Sequence, residues 1–339
     1  MKKKNKVLII AEIGPNHNGS LKRAKEIIKK LSKTSVDVIK FQIGIPDEVY
    51  SDDSIMARYQ KENDKSKSIK KMSEKYQLQF NDHIKLYNYC RRLKLKYACS
   101  AFDIKSLAFI NKNTNLPFFK IPSGEINSTD ILNYISKFKK KILLSTGMAS
   151  LQEIKRSYNY LKKNGNKNIC IMHCVSSYPA KENAINLEFM ETLKKNFNCD
   201  IGYSDHTTSS LACISAVAKG AKVIEKHVTL SKKLLGPDHK TSYSISEFKK
   251  LVKDIRLTEE ILGENKKKFT LDELNIKKVS RKSCVTKNNI KKNSKLKRSN
   301  IVFKRPGTGI SPFDVKKIIG KKTRVFLRKN TVIKNHLIN

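Results

Sequence analysis

The stretch DIGYSDHTTSSLACISAVAKGAKVIEKHVT, residues 200–229, holds the unit that decides the fold. Asp200–His206 is a short apolar run, Ser209–Lys219 carries apolar side chains at helical spacing, and Val223–Thr229 is a second apolar run. The runs are near-continuous rather than alternating, as expected of parallel strands buried on both faces. Working outward, the same rhythm recurs in Val7–Gly14, Asp37–Gln42, Lys96–Phe102, Phe118–Ser123, Lys141–Thr146 and Ile169–Ser177. Between the first two, Leu21, Ala24, Ile27, Ile28 and Leu31 keep a helical period, with Ser20 as the N-cap. Leu151–Lys163 reads the same way. Eight strands alternating with helices predict an α/β fold, a (β/α)8 TIM barrel. Tyr50–Leu78 is extra and should elaborate the loop after the second strand.

Beyond Gly263 the texture changes. Residues 1–264 are read as the barrel, 265–278 as a polar, Lys-rich linker, and 279–339 as a small β-rich domain. Its strand-like pieces are Ser283–Thr286, Ile301–Phe303, Arg324–Phe326 and Thr331–Ile333, with a turn at Pro306-Gly307-Thr308-Gly309. A domain of that size is marginal alone and should lean on a neighbour.

Composition excludes several classes. No apolar run is long enough to span a bilayer. The basic start Met1–Lys6 is followed by a run too short for a signal peptide, interrupted by Glu12. Seven cysteines without paired spacing suit buried thiols in a reducing cytoplasm, not a disulfide framework. Lys plus Arg is 71 against 30 for Asp plus Glu, a formal net charge of +41. Such a balance can signal nucleic-acid binding. Here Lys is spread over the whole chain beside abundant Asn and Ile, the mark of a compositionally biased genome, and no nucleic-acid partner is expected.

The informative residues are those that end the strands, since the C-terminal ends of such a barrel carry its active site. They are Glu12; Lys40 and Gln42; Ser100 and Asp103; Lys120 and Ser123; Ser145 and Thr146; Ser176, Ser177 and Tyr178; Ser204, Asp205 and His206; Glu225 and His227. Two lysines and several hydroxyls aimed at one mouth suit a phosphorylated, anionic ligand. His206 and His227 end neighbouring strands, and barrel closure brings Glu12 alongside. Such a set can meet at one cation or around one reacting carbonyl. Two satisfied core histidines are the plainer alternative; the surrounding polar mouth favours a metal. His83 and His336 have no such company and are expected at the surface.

At these residues the sequence resembles the sialic acid synthase family. The resemblance is carried by Ala11-Glu12-Ile13-Gly14 with Asn16-His17-Asn18-Gly19, Lys40-Phe41-Gln42, Lys120-Ile121-Pro122-Ser123-Gly124-Glu125, Leu144-Ser145-Thr146-Gly147-Met148, His173-Cys174 through Tyr178-Pro179, Gly202–His206, Glu225-Lys226-His227 and Gly236-Pro237-Asp238-His239-Lys240. Lys304–Ile310 is similar to the antifreeze-like (SAF) domain that ends these enzymes. The likeness runs through almost the whole chain in order. It implies a cytoplasmic, metal-dependent enzyme that joins phosphoenolpyruvate to N-acetylmannosamine, giving N-acetylneuraminate and phosphate. The alternative is N,N'-diacetyllegionaminate synthesis from a 2,4-diacetamido-trideoxy hexose; pseudaminate synthesis ranks below both.

By position, the resemblance implies that Lys40, Gln42, Ser100, Lys120, Ser123, Ser145, Ser176 and Ser204 hold phosphoenolpyruvate. His206 and His227 would ligate Mn2+, or another divalent ion such as Mg2+ or Co2+. Glu12 and Asp238 would flank the reacting carbons, and Asn63 and Tyr178 would touch the N-acylated mannosamine-type sugar. Arg305 would reach the acyl group from the partner chain of a domain-swapped homodimer. The chain departs from the family at Ser176, where some members have Asn, at Asp64, where Thr is common, and at Thr241-Ser242-Tyr243.

Overall fold

In the computed structural model, which describes residues 6–339, every apolar run of the barrel region becomes a strand. They are β1 (Leu8–Glu12), β2 (Val38–Ile43), β3 (Lys96–Ala101), β4 (Phe118–Ile121), β5 (Lys141–Ser145), β6 (Ile169–Cys174), β7 (Asp200–Asp205) and β8 (Val223–Thr229). The parallel ladder runs β3-β2-β1-β8-β7-β6-β5-β4, and β3 packs beside β4 to complete the ring. Glu12 lies in register with Lys40 on one side and His227 on the other.

Helices fill the crossovers: α1 (Leu21–Leu31), α2 (Pro46–Val49), α3 (Arg58–Asn63), α4 (Ile69–Tyr76), α5 (Phe80–Arg92), α6 (Ile104–Asn113), α7 (Thr129–Ser136), α8 (Leu151–Lys163), α9 (Phe189–Asn196), α10 (Leu211–Ala218) and α11 (Ile245–Leu262). Ser20 caps α1 as expected, accepting from the Arg23 amide. Ala24, Ile27, Ile28 and Leu31 of α1 are buried against the barrel. Burying each larger side chain contributes about 1.5–3 kcal/mol. Outward-facing strand residues such as Ile9, Ile39, Ile142 and Ile224 join that helix-covered core.

Inside the ring, side-chain alternation separates a dry plug from a polar floor. Ile10, Val38, Ala98, Phe118, Leu143, Met172 and Val223 form an apolar layer. Two residues further along each strand stand Glu12, Lys40, Ser100, Lys120, Ser145, Cys174 and Glu225, all buried. The two-residue period of a strand forces both layers onto the same inner face. The polar floor is thus placed by the same alternation that packs the plug beneath it.

The chain divides into two compact units, one ending at Gly263 and one spanning Glu264–Asn339. In the second, α12 (Leu271–Ser280) occupies much of the segment read as a linker, started by a Thr270–Glu273 capping box. Ser283–Thr286 and Ile301–Lys304 are strands, as expected of these pieces, and they pair antiparallel. Arg324–Phe326 and Thr331–Ile333 do not form strands. Around them pairing is limited to single bridges at Lys322, Thr323, Leu327 and Val332, with Asn330 in a left-handed turn between. Their apolar residues, Leu327 and Ile333, instead serve the unit's own core with Cys284, Ile290, Leu296 and Ile301.

Candidate active site

The mouth of the barrel opens into a cavity of about 400 Å³. Its floor is a chain of alternating charge. Lys40 Nζ lies 2.6 Å from Glu12 Oε2 and donates to Ser100 Oγ at 3.0 Å. Lys120 Nζ donates to Glu225 Oε1 at 2.8 Å, and Lys40 approaches that same oxygen at 3.8 Å. Ser204 Oγ donates to it at 3.3 Å, and Gln42 Nε2 donates to Glu12 Oε1 at 2.9 Å.

The two carboxylates of the floor differ. Burial works against the charge of both. At Glu225 the two lysines win and hold the pKa down at about 2. At Glu12 burial prevails over Lys40, with the Glu225 charge adding to it, and the pKa rises. For Lys40 burial favours the neutral amine, but Glu12 and Glu225 raise its pKa on balance. The floor therefore sets one carboxylate whose charge is favoured, Glu225, beside one whose charge burial opposes, Glu12. Ser145 Oγ and Glu225 Oε2 are buried without a hydrogen-bond partner among the described residues. Unsatisfied groups at that depth are costly unless a ligand or solvent meets them.

Above the floor sit His206 and His227, ring centroids 5.5 Å apart. His206 Nδ1 is 2.7 Å from the Val175 carbonyl, which fixes the proton on Nδ1 and leaves the Nε2 lone pair free. Buried His227 Nδ1 has no hydrogen-bond partner and lies 3.5 Å from Asp238 Oδ2. Among the described residues no group of three or more His, Cys, Asp or Glu is placed to hold a metal ion by itself. Two imidazoles with a free lone pair and an orphaned ring nitrogen fit a divalent ion that takes its other ligands from substrate and solvent.

Asp238 is placed by a clamp. Asn18 Oδ1 accepts from His239 Nε2 at 2.8 Å, and its Nδ2 donates to the Leu235 carbonyl at 2.8 Å. Asn16 reaches the Val228 carbonyl and Ser242 Oγ. The Asn16-His17-Asn18 loop after β1 thus grips the Leu235–Ser242 loop after β8. Burial pushes the Asp238 carboxyl up to about 7, with His206 opposing and Glu12 adding to the rise.

The outer wall is aromatic. Tyr59 stacks on Tyr178 at 4.9 Å, and Tyr178 packs over His206 at 4.1 Å. Val49, Tyr50, Ala57, Met72 and Tyr76 line the same side. On the floor side Gly147 brings its backbone against Ser123, whose Oγ accepts from the Gly147 amide at 3.0 Å. A Cβ there would collide with the Ser123 and Ser176 hydroxyls.

Residues 27–267 match the NeuB family, and residues 281–339 match the SAF domain. The chain belongs to the NeuB family. The N,N'-diacetyllegionaminic acid synthase of Campylobacter jejuni is 41% identical over 319 residues, 93% of this chain and 95% of its own length. The N,N'-diacetyllegionaminic acid synthase of Legionella pneumophila is 36% identical over 330 residues, 96% of this chain and 92% of its own length. The crystal structure of N-acetylneuraminic acid synthetase from Leptospira borgpetersenii with citrate superposes with a TM-score of 0.72 at 30% identity, covering 80% of this chain and 90% of that one. This NeuB protein is a carbon–carbon bond-forming transferase of the sialic acid synthase family.

Of the residues expected in the NeuB site, Glu12, Lys40, Gln42, Ser100, Lys120, Ser123, Ser145, Ser176, Tyr178, Ser204, His206, His227 and Asp238 all line the one cavity. Asn63 does not; its Nδ2 donates to the Pro237 carbonyl at 3.3 Å, next to Asp238. Arg305 follows Ile301–Lys304 in the second unit. The sequence reading gave no role in the site to Glu225, Cys174 or Tyr59. Glu225 stood among the strand ends, and its place two residues after inward-facing Val223 was the available signal. The expectation for His83 was wrong. It is fully buried behind β3, its Nδ1 2.8 Å from the Tyr97 hydroxyl, because its place on α5 faces the barrel with Leu86 and Cys90. His336 is exposed as expected.

Proposed function

We propose that this enzyme condenses phosphoenolpyruvate with a 2,4-diacetamido-trideoxy hexose to give N,N'-diacetyllegionaminate and phosphate. The observation that carries the reading is one cavity joining a lysine–serine floor to the His206–His227 pair under an aromatic wall. The floor suits a phosphorylated carboxylate. The wall of Tyr59, Tyr178, Met72 and Val49 suits a sugar rich in deoxy and acetyl methyl groups. N-acetylmannosamine, the first expectation from sequence, becomes the second reading, because the relatives at 41% and 36% identity are both legionaminic acid synthases.

In this reading Lys40 and Lys120 hold the phosphate, with Ser100, Ser123, Ser145, Ser176 and Ser204 supplying hydroxyls and Gln42 bracing Glu12. Mn2+ or a similar ion on His206 and His227 would supply Lewis acidity to the aldehyde of the open-chain sugar. The methylene carbon of phosphoenolpyruvate attacks that aldehyde carbon, and Asp238 is the nearest acid for the new alkoxide. Positive charge then develops at the former enol carbon. Glu12 stabilises it and takes a proton from the water that adds there. The tetrahedral adduct expels phosphate by carbon–oxygen cleavage, its charge met by Lys40 and Lys120. Tyr178 contacts the sugar, Asn63 keeps Pro237 and Asp238 in place, and Arg305 reaches the acyl group from the partner of a homodimer. The reaction runs in the cytoplasm.

The test is a product assay with phosphoenolpyruvate and both sugars, with and without a chelator. Turnover of the diacetamido sugar at higher kcat/KM, lost on chelation and restored by Mn2+, is expected. A preference for N-acetylmannosamine reverses the order of the two sugars. Full activity in metal-free buffer removes the role given to His206 and His227.

A further inference from the structure

The loop after β2 carries its own small fold. Met56, Ile69, Met72 and Tyr76, with Tyr50 against them, form an apolar cluster separate from the barrel core. Helices α3 and α4 flank it, and between them lies Asp64. Its side chain is only 2% exposed, unusual for a carboxylate on a surface loop. Each oxygen is engaged. Oδ1 accepts from the Ser66 amide at 2.8 Å, and Oδ2 accepts from Lys75 Nζ at 2.8 Å and the Tyr76 hydroxyl at 2.5 Å. The Asp64 amide closes the last turn of α3 by donating to the Gln60 carbonyl. Asp64 thereby ties the end of α3 to the last turn of α4.

What α3 holds is the sugar side of the cavity. Tyr59 stacks on Tyr178, which lies over His206. Asn63 holds the Pro237 carbonyl, and Pro237 precedes Asp238. A shift of α3 would therefore move the aromatic wall and loosen the support of Asp238 together. Among the described residues the side-chain hydrogen bonds of Asp64 go to Ser66, Lys75 and Tyr76, and none goes to the phosphate floor on β2, β4 and β8. Burial alone would raise the Asp64 pKa, but Lys75, Ser66 and Tyr76 hold it well below the ordinary carboxylate range.

We propose that Asp64 is a specificity-determining positioning residue: its clasp on Ser66, Lys75 and Tyr76 sets where Tyr59 meets the sugar and where Asn63 holds the Pro237–Asp238 turn, without acting on phosphoenolpyruvate. The proposal rests on the reading of the cavity as a phosphoenolpyruvate–sugar site. In Asp64→Asn the new amide replaces one acceptor. Placed at Oδ2 it confronts two donors, and placed at Oδ1 it confronts the Ser66 amide. Either way the clasp opens while side-chain volume is kept.

Steady-state kinetics on Asp64→Asn and Asp64→Ala should show KM for the 2,4-diacetamido-trideoxy hexose, or for N-acetylmannosamine, rising on the order of 10- to 100-fold, the scale of a small misplacement of binding groups. KM for phosphoenolpyruvate should not change. Tyr76→Phe, which removes one donor, should fall between these variants and the unaltered enzyme. Hydrogen exchange should quicken at the amides of residues 59–64 in Asp64→Asn and stay unchanged in β1 and β8. A rise in both KM values together, or a loss of thermal stability with sugar KM intact, overturns the proposal. If the unaltered enzyme turns over neither sugar, the proposed function fails. The exchange comparison still decides the clasp: no change at residues 59–64 overturns it.

Discussion

Glu225 presents one oxygen to Lys120, Lys40 and Ser204 at the bottom of the cavity, and all four side chains are buried. Removing one charge from such a network leaves its partners uncompensated in a poorly solvated place, which costs about 3–5 kcal/mol. Glu225→Gln keeps the shape and removes that charge. Its thermal midpoint should fall accordingly. Phosphoenolpyruvate offers anionic oxygens to the same lysines, so it should replace the missing charge. The expected outcome is a larger upward shift of the midpoint by phosphoenolpyruvate in Glu225→Gln than in the unaltered enzyme. Equal shifts in the two proteins would mean that Glu225 is not what neutralises Lys40 and Lys120 before the ligand arrives.

The strands β7 and β8 carry a second buried pair on their outer side. Lys226 Nζ lies 2.5 Å from Asp205 Oδ2, donates to the Thr207 carbonyl, and sits 4.3 Å from the Tyr243 ring centroid. Because side chains alternate, the next residue on each strand, His206 and His227, turns into the mouth. Lys226→Met should destabilise the barrel by roughly 3–5 kcal/mol, and adding Asp205→Asn should recover part of that loss. Urea unfolding of the two single variants and the double variant reads the coupling directly; strictly additive losses would dissolve the pair as a unit. This element-level logic is also why so much of the site was legible. Once the runs are read as parallel strands, the residue two after each plug position must face the mouth, and Glu12, Lys40, Ser100, Lys120 and Ser145 follow. Spacing reports the face and not the partner, so it could not say that Lys120 pairs with Glu225, 105 positions away. The later part of the second unit was less legible because, beyond the pair Ser283–Thr286 and Ile301–Lys304, its backbone is held by single bridges, which leave no run of alternating residues to read. His83 was misplaced because a polar residue on an amphipathic helix was judged by its type, while its position on α5 put it on the buried face.

Across the whole molecule, acid should act through buried imidazoles. Burial lowers the pKa of His17 to about 3, and of His83 and His239 to about 4. Each folded value lies below the unfolded one near 6.5, so the unfolded chain binds more protons as pH falls. Stability is full above pH 6.5 and declines through the folded values, by up to about 1.4 kcal/mol per pH unit for each histidine. Urea midpoints between pH 7 and pH 4.5 should therefore drop steeply, and His83→Gln should flatten the slope; an unchanged slope would remove His83 from the account. The largest-scale prediction concerns the partner chain. In α12, Leu271, Ile276 and Val279 are strongly exposed, as is Phe313 further on. So much uncovered apolar surface in the small unit suits association with a second copy. If, as proposed, the chain forms a homodimer and Arg305 acts across it, Arg305→Ala and Glu12→Ala should each be inactive alone. A mixed dimer then contains one barrel with an intact Glu12 that faces the partner's intact Arg305, and the other barrel lacks both. Random exchange of equal amounts makes half of the dimers mixed, each with one working site, so about a quarter of full activity should return. Exchange is confirmed by separately tagging the two chains and recovering them together. Confirmed exchange with no return of activity would place Arg305 in service of its own barrel, or of neither.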